Sequence, residues 1–175
     1  MPSASDRLAD HYIRAYRLCA VYVADAGDVA MVGATHSIAG RQRQIRHELG
    51  ASIVKHWWCA SDEDARAVTV ACRSLVGSAE QIAGLVPAIA RSFGVGLTPH
   101  DVVVERAREA VAEVQKRIAA MKATGELRPV NAAYRKRRED RAALGMKTEP
   151  YAAYFRRYTT GMLYTMAGEV RGRTG

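Results

Sequence analysis

Apolar residues fall into short continuous runs in the first third of this chain and into helix-spaced stripes after it. Leu18 to Ala24 is nearly all apolar, Val29 to Ala34 is a second such run, and Asp25-Ala26-Gly27-Asp28 between them carries turn chemistry. Two runs so connected predict a β-hairpin whose strands are covered on both faces. After Ser37, a good N-cap, Ile38, Ile45 and Leu49 recur at helical spacing, and Gly50 follows as a stop. Arg41 falls on the same stripe, so this helix turns a cation inward while Gln44, Arg46 and Glu48 face water. Ser52 to Ala60, with Ile53, Val54, Trp57 and Trp58, reads as a third strand. Asp62 to Leu75 reads as a second helix burying Ala65, Val68, Cys72 and Leu75. The predicted fold class is α+β, a small three-stranded antiparallel sheet with flanking helices over residues 13–77. A unit of roughly sixty residues is near the lower limit for an independent core and gains from further packing.

Residues 78–175 are predicted to be all helical. Ser78 to Phe93 forms one helix, bent or restarted at Pro87, and Gly94 to Leu97 breaks it. Thr98 and Pro99 supply an N-cap and a first-turn proline for a long helix. Along it Val104, Ala107, Val111, Val114, Ile118 and Met121 alternate three and four apart. That seam is short of three heptads, which predicts packing within the chain, with a homodimer as the alternative. Pro129 to Leu144 reads as a shorter helix. Glu149-Pro150 opens the last one, with Tyr151, Tyr154, Phe155, Tyr158, Met162 and Met166 on one face. Ile89 to Arg106 has the spacing of a helix-turn-helix, but Asp101, Val102, Val103, Val104 and Glu105 are poor chemistry for base edges.

Charge sharpens this picture. The net charge is +8. From Glu126 onward eleven Lys/Arg oppose five Asp/Glu, against fifteen and thirteen before it, so the surplus sits in the helical region. Arg135, Lys136, Arg137 and Arg138, with Arg141 and Lys147 close behind, form an array suited to phosphate contact. The competing reading is a solvated helix with Arg135–Glu139 and Lys136–Asp140 pairs at i,i+4. No apolar run approaches a membrane span, and Met1 to Asp10 is polar without a signal-peptide core, so a cytoplasmic protein with no membrane partner is expected. Cys19, Cys59 and Cys72 are scattered without zinc spacing and read as reduced core residues.

Three residues carry a family resemblance. The first apolar run contains Val21-Tyr22-Val23, the second ends in Met31-Val32-Gly33, and Arg41 follows eight residues after Gly33. This order resembles the GIY-YIG endonuclease family over about a third of the chain. The resemblance implies that a tyrosine pair orients water, that Arg41 stabilises charge on the phosphate, and that a glutamate on the second helix holds one divalent cation. Here Met31 replaces the second tyrosine, and Thr69 stands where the glutamate falls. A threonine hydroxyl cannot replace a carboxylate as a Mg²⁺ ligand.

The candidate catalytic residues are thus Tyr22, Arg41 and His47, with no metal site. Arg43, Lys55, His56, Arg135, Lys136, Arg137, Arg138 and Arg141 are the candidate nucleic-acid contacts. Of Trp57 and Trp58, on opposite strand faces, at most one is free to stack on a base. The expected function is binding of nucleic acid, DNA ahead of RNA, by an impaired nuclease-like domain joined to a basic helical region, with no cofactor. One alternative is a working endonuclease using Mg²⁺ or Mn²⁺ with a carboxylate from Glu48, Glu63 or Glu80. Another is an interaction or assembly module that binds no nucleic acid.

Overall fold

The computed structural model describes residues 4–173. It forms two compact units, residues 1–106 and residues 107–175. The first unit holds a three-stranded antiparallel sheet in the order β2-β1-β3, with β1 Cys19–Asp25 central, β2 Ala30–Thr35 and β3 Ser52–Cys59 at the edges. Asp25 closes the hairpin turn, its carboxylate accepting from the Gly27 amide at 2.8 Å while Gly27 takes φ 86°. Coverage on both faces holds for β1, of which only Asp25 is exposed; edge strand β2 is half-buried throughout.

Period-2 alternation divides the core. Cys19, Val21, Val23, Trp57 and Cys59 face one side, where they pack with α3 Asp62–Cys72 and α4 Ala79–Ser92. Ala20, Tyr22, Ala24 and Trp58 face the other, where α1 Ala4–Tyr16, α2 Ile38–Leu49 and the first turns of α5 His100–Thr124 cover them. Helices α2, α3 and α4 begin or end where local chemistry dictates. The Ser37 and Ser61 side chains accept from the Gly40 and Asp64 amides, Ser78 and Gln81 form a reciprocal capping box, and Gly50 ends α2 at φ 65°.

Several expectations need correction. The sheet unit does not close at residue 77, because Ala79, Ile82, Val86 and Ala90 of α4 complete its core, and the compact unit runs to Arg106. Helix α4 passes through Pro87 without restarting. Helix α1 was not anticipated, although Ala9, Tyr12 and Ile13 have helical spacing and pack on Ala20 and Trp58; residues 1–3 of the polar N-terminal stretch lie outside the described residues. Leu49 ends α2 exposed, leaving Ile45 as that helix's one buried residue. Thr98 does not cap α5. Its backbone pairs with Trp58 through two hydrogen bonds of 2.8 Å, and the first carbonyl of the helix is that of Pro99. That bridge delivers Val103 to the sheet core on the face opposite α4, so residues 89–106 do not form a helix-turn-helix.

In the second unit, α6 Arg128–Ala143 and α7 Tyr151–Arg173 follow the remainder of α5. Ala107 and Val114 are the buried members of the α5 seam. Arg117 reaches Glu169 at 3.4 Å, and the Tyr158 hydroxyl donates to the Met121 sulfur at 3.9 Å. Tyr134 of α6 meets Tyr151 and Tyr154 with ring centroids 5.0 and 5.1 Å apart, so the aromatic stripe is a seam between helices of this unit. Among the described residues, no helix is long and apolar enough to cross a membrane.

Candidate functional site

Strand register builds the site. On the even-numbered side of β1, Tyr22 lies opposite Gly33 of β2 and His56 of β3. The phenol leans over Gly33 so closely that a Cβ there would meet Oη, with Cζ only 2.5 Å away. Arg41 descends from α2 onto the same group: its Nε donates to Tyr22 Oη at 2.7 Å, with the guanidinium carbon 5.7 Å from the ring centroid. Tyr22, Gly33 and Arg41 therefore converge. Arg41 Nη1 donates to Gln44 Oε1 at 2.7 Å, and Gln44 donates in turn to Glu48 at 3.1 Å. With Nε and Nη1 so engaged, the guanidinium is oriented by two bonds, and no partner of Nη2 is found among the described residues.

The fit over Gly33 gives a direct test. Gly33→Ala is expected to lose about 1–3 kcal/mol of stability, because a methyl inserted against a 2 % exposed ring forces the phenol from its rotamer. Tyr22→Phe in the same background should recover little of that loss, because Cζ and Cε1 keep the ring against the methyl and Arg41 Nε loses its acceptor. Urea unfolding of the parent and the two variants measures both.

His56 is half-buried, and its Nε2 is buried without a hydrogen-bond partner. Burial first, then the neighbouring His100 and Lys55 charges, push its pKa down to about 4. The ring stands 5.3 Å from that of His100, whose Nδ1 accepts from Trp58 Nε1 at 3.2 Å. His56 is thus neutral in the folded protein at neutral pH. Because the folded pKa lies below the unfolded value near 6.5, the unfolded chain binds the proton first as pH falls. Stability is expected to be flat above pH 6.5 with respect to this group and to decline between about pH 6.5 and about pH 4. His56→Phe should flatten that segment of a urea-midpoint profile; an unchanged profile would assign the acid sensitivity to other groups.

The remaining predicted residues are not assembled here. His47 and Arg43 are exposed, each two positions from Ile45, on the side of α2 away from the sheet. Lys55 pairs with Val23 and so faces opposite Tyr22. Both tryptophans are buried, Trp57 among the α3 and α4 side chains and Trp58 under α1 and α5, so neither can stack on a base. Thr69 is buried on α3, its hydroxyl donating to the Ala65 carbonyl at 2.8 Å. Helix α3 packs on the odd-numbered side of β1, so a carboxylate at residue 69 would be separated from Tyr22 and Arg41 by the sheet. Glu63 and Glu80 sit in the first turns of α3 and α4 on that same far side; of the carboxylates considered, Glu48 alone is connected to Arg41. Among the described residues no cluster of carboxylates fit to hold Mg²⁺ lies at the Tyr22–Arg41 pair.

In the second unit, Arg135, Lys136, Arg137 and Arg138 of α6 are all exposed, and no residue of that helix is buried. Neither Arg135–Glu139 nor Lys136–Asp140 closes as an ion pair among the described residues. Arg141 stands apart from the array: it is half-buried, and its Nε donates to the Lys147 carbonyl at 3.0 Å. Among the described residues the four adjacent cations, Arg135 to Arg138, form no ion pair, which leaves their charge open to an anionic partner. All three cysteines are free and buried; desolvation, then the hydrogen bond to Asp62, push Cys19 up to about 11, and desolvation with the Asp64 charge pushes Cys59 up to about 12. Compared with known proteins, the chain matches no family model, no curated protein and no solved structure.

Proposed function

We propose that this protein binds nucleic acid, DNA ahead of RNA, through the cationic run of α6, and that its sheet unit is a GIY-YIG-like scaffold with impaired phosphodiesterase chemistry. The observation that carries the reading is the run Arg135 to Arg138, exposed and free of the intrahelical pairs that would neutralise it. Such an array contacts phosphate irrespective of base sequence, and its affinity falls steeply with salt through counterion release. Titration of the full chain with duplex and single-stranded DNA and RNA at several salt concentrations tests it. Absence of salt-dependent binding to any of them removes the reading.

The impaired chemistry is supported by what surrounds Arg41. A tyrosine and an oriented arginine are present, but Met31 lacks a hydroxyl and residue 69 lies across the sheet. Charge on a phosphate could be met by Arg41, whereas a metal would have one connected carboxylate, Glu48. The second reading, a metal-dependent endonuclease, draws on the Tyr22–Gly33–Arg41 convergence. Nicking of supercoiled DNA in Mg²⁺ or Mn²⁺ that disappears in Arg41→Ala would favour it over the first.

A further inference from the structure

We propose that Cys19, His36 and Asp62 form a three-ligand site for a zinc-class transition-metal ion, independent of the Tyr22–Arg41 pair. The three come from the start of β1, the loop after β2 and the first turn of α3, and the sheet register and the Ser61 cap bring them together. Their ligand atoms all lie within 4.8 Å of one another. Asp62 Oδ1 is the shared vertex, 3.6 Å from Cys19 Sγ and 3.5 Å from His36 Nε2. Zinc bonds of 2.0–2.3 Å at tetrahedral angles require ligand-to-ligand edges of about 3.3–3.6 Å. The two edges at Asp62 match that length, and the third, between Cys19 Sγ and His36 Nε2, lies within 4.8 Å and is adjustable by rotation of the exposed imidazole.

The surrounding groups orient the three ligands. His36 Nδ1 lies 3.2 Å from the Leu18 carbonyl, which can accept its N–H and so leave the Nε2 lone pair directed at the cluster. Arg66 holds the other carboxylate oxygen, Oδ2, at 2.7 Å and leaves Oδ1 turned inward. Outer contacts of this kind, imidazole N–H to a backbone carbonyl and carboxylate to a donor, fix the ligands of biological zinc sites. Asp62 Oδ1 accepts from the Cys19 thiol at 3.6 Å and lies 3.5 Å from His36 Nε2, so an ion bound there would take the place of the thiol proton among the three groups.

The donor set selects the metal. One thiolate, one imidazole and one carboxylate suit Zn²⁺ and its neighbours, whereas Mg²⁺ and Ca²⁺ take oxygen donors alone. The Cys19 thiol gives its proton to solvent as its sulfur lone pair goes to the ion. Side-chain exposures of 62 % at His36 and 41 % at Asp62 leave the fourth coordination position to water.

The test uses the full chain, stripped with a chelator, desalted under reducing conditions, and titrated with Zn²⁺ against a chromophoric competitor and separately with Co²⁺. The expected result is one equivalent bound at micromolar concentration, with a thiolate-to-cobalt charge-transfer band in the near ultraviolet. Cys19→Ser should abolish that band, and His36→Gln should weaken Zn²⁺ by about 10- to 100-fold or more. Because His36 is exposed, its variant keeps the proposal falsifiable should the buried Cys19→Ser chain fail to fold. No binding, or binding that neither variant changes, overturns it, the second outcome placing the metal on other surface groups.

Discussion

Replacement of Arg135, Lys136, Arg137 and Arg138 by glutamine is expected to lower the magnitude of the log–log salt slope for duplex binding by about 3 to 4. The argument is counterion release: each cation seated on a phosphate frees about 0.9 counterion, and four are removed. At physiological ionic strength a slope change of that size corresponds to an affinity loss on the order of a thousandfold. Glutamine keeps good helix propensity, and α6 buries none of its residues, so the helix itself should survive. Arg141→Gln is the built-in control. That guanidinium already caps the Lys147 carbonyl, and its loss should move the slope by less than one unit. Fluorescence anisotropy across a potassium chloride series measures all of these. A fourfold-neutralised chain with the parent slope would move the binding surface away from α6.

Trp58→Ala is expected to cost about 3–5 kcal/mol, the range for deleting a large buried aromatic. The side chain is 2 % exposed and joins three elements: it packs with Ala9 and Ile13 of α1, with Ala20 of β1, and with Val103 of α5. Its removal also strips His100 Nδ1 of the indole N–H that it accepts. Since domains of this size are stable by only about 5–15 kcal/mol, the loss is a large part of the whole. Urea unfolding followed by far-ultraviolet circular dichroism gives the number. Trp58→Phe should cost less, keeping most of the burial and losing the hydrogen bond. A loss below about 1 kcal/mol for the alanine variant would mean that α1 and α5 are not joined to the sheet through this residue.

These two effects differ in how far they could be read from the chain. The run at residues 135–138 is visible as charge, but whether Glu139 and Asp140 neutralise it depends on rotamers that no spacing determines. Both tryptophans are visible as strand residues of opposite facing. At most one could be free by that alternation, and neither is, because the outer face of the strand is covered by α1 and by the first turns of α5, the latter tied to it through the Thr98 bridge. His47 and Arg43 have side chains suited to phosphate, but helical rotation carries them to the solvent side of α2.

Local chemistry by itself determined the three strands, the helix starts at Ser37, Ser61 and Ser78, and the inward direction of Arg41, since capping and side-chain periodicity act within a few residues. Tertiary structure alone decided that α4 belongs with the sheet, that residue 69 lies across it from Tyr22, and that Cys19, His36 and Asp62 meet at one corner. Those outcomes depend on which face each helix covers and on strand register, and both are set by the fit of apolar surfaces far apart in the chain.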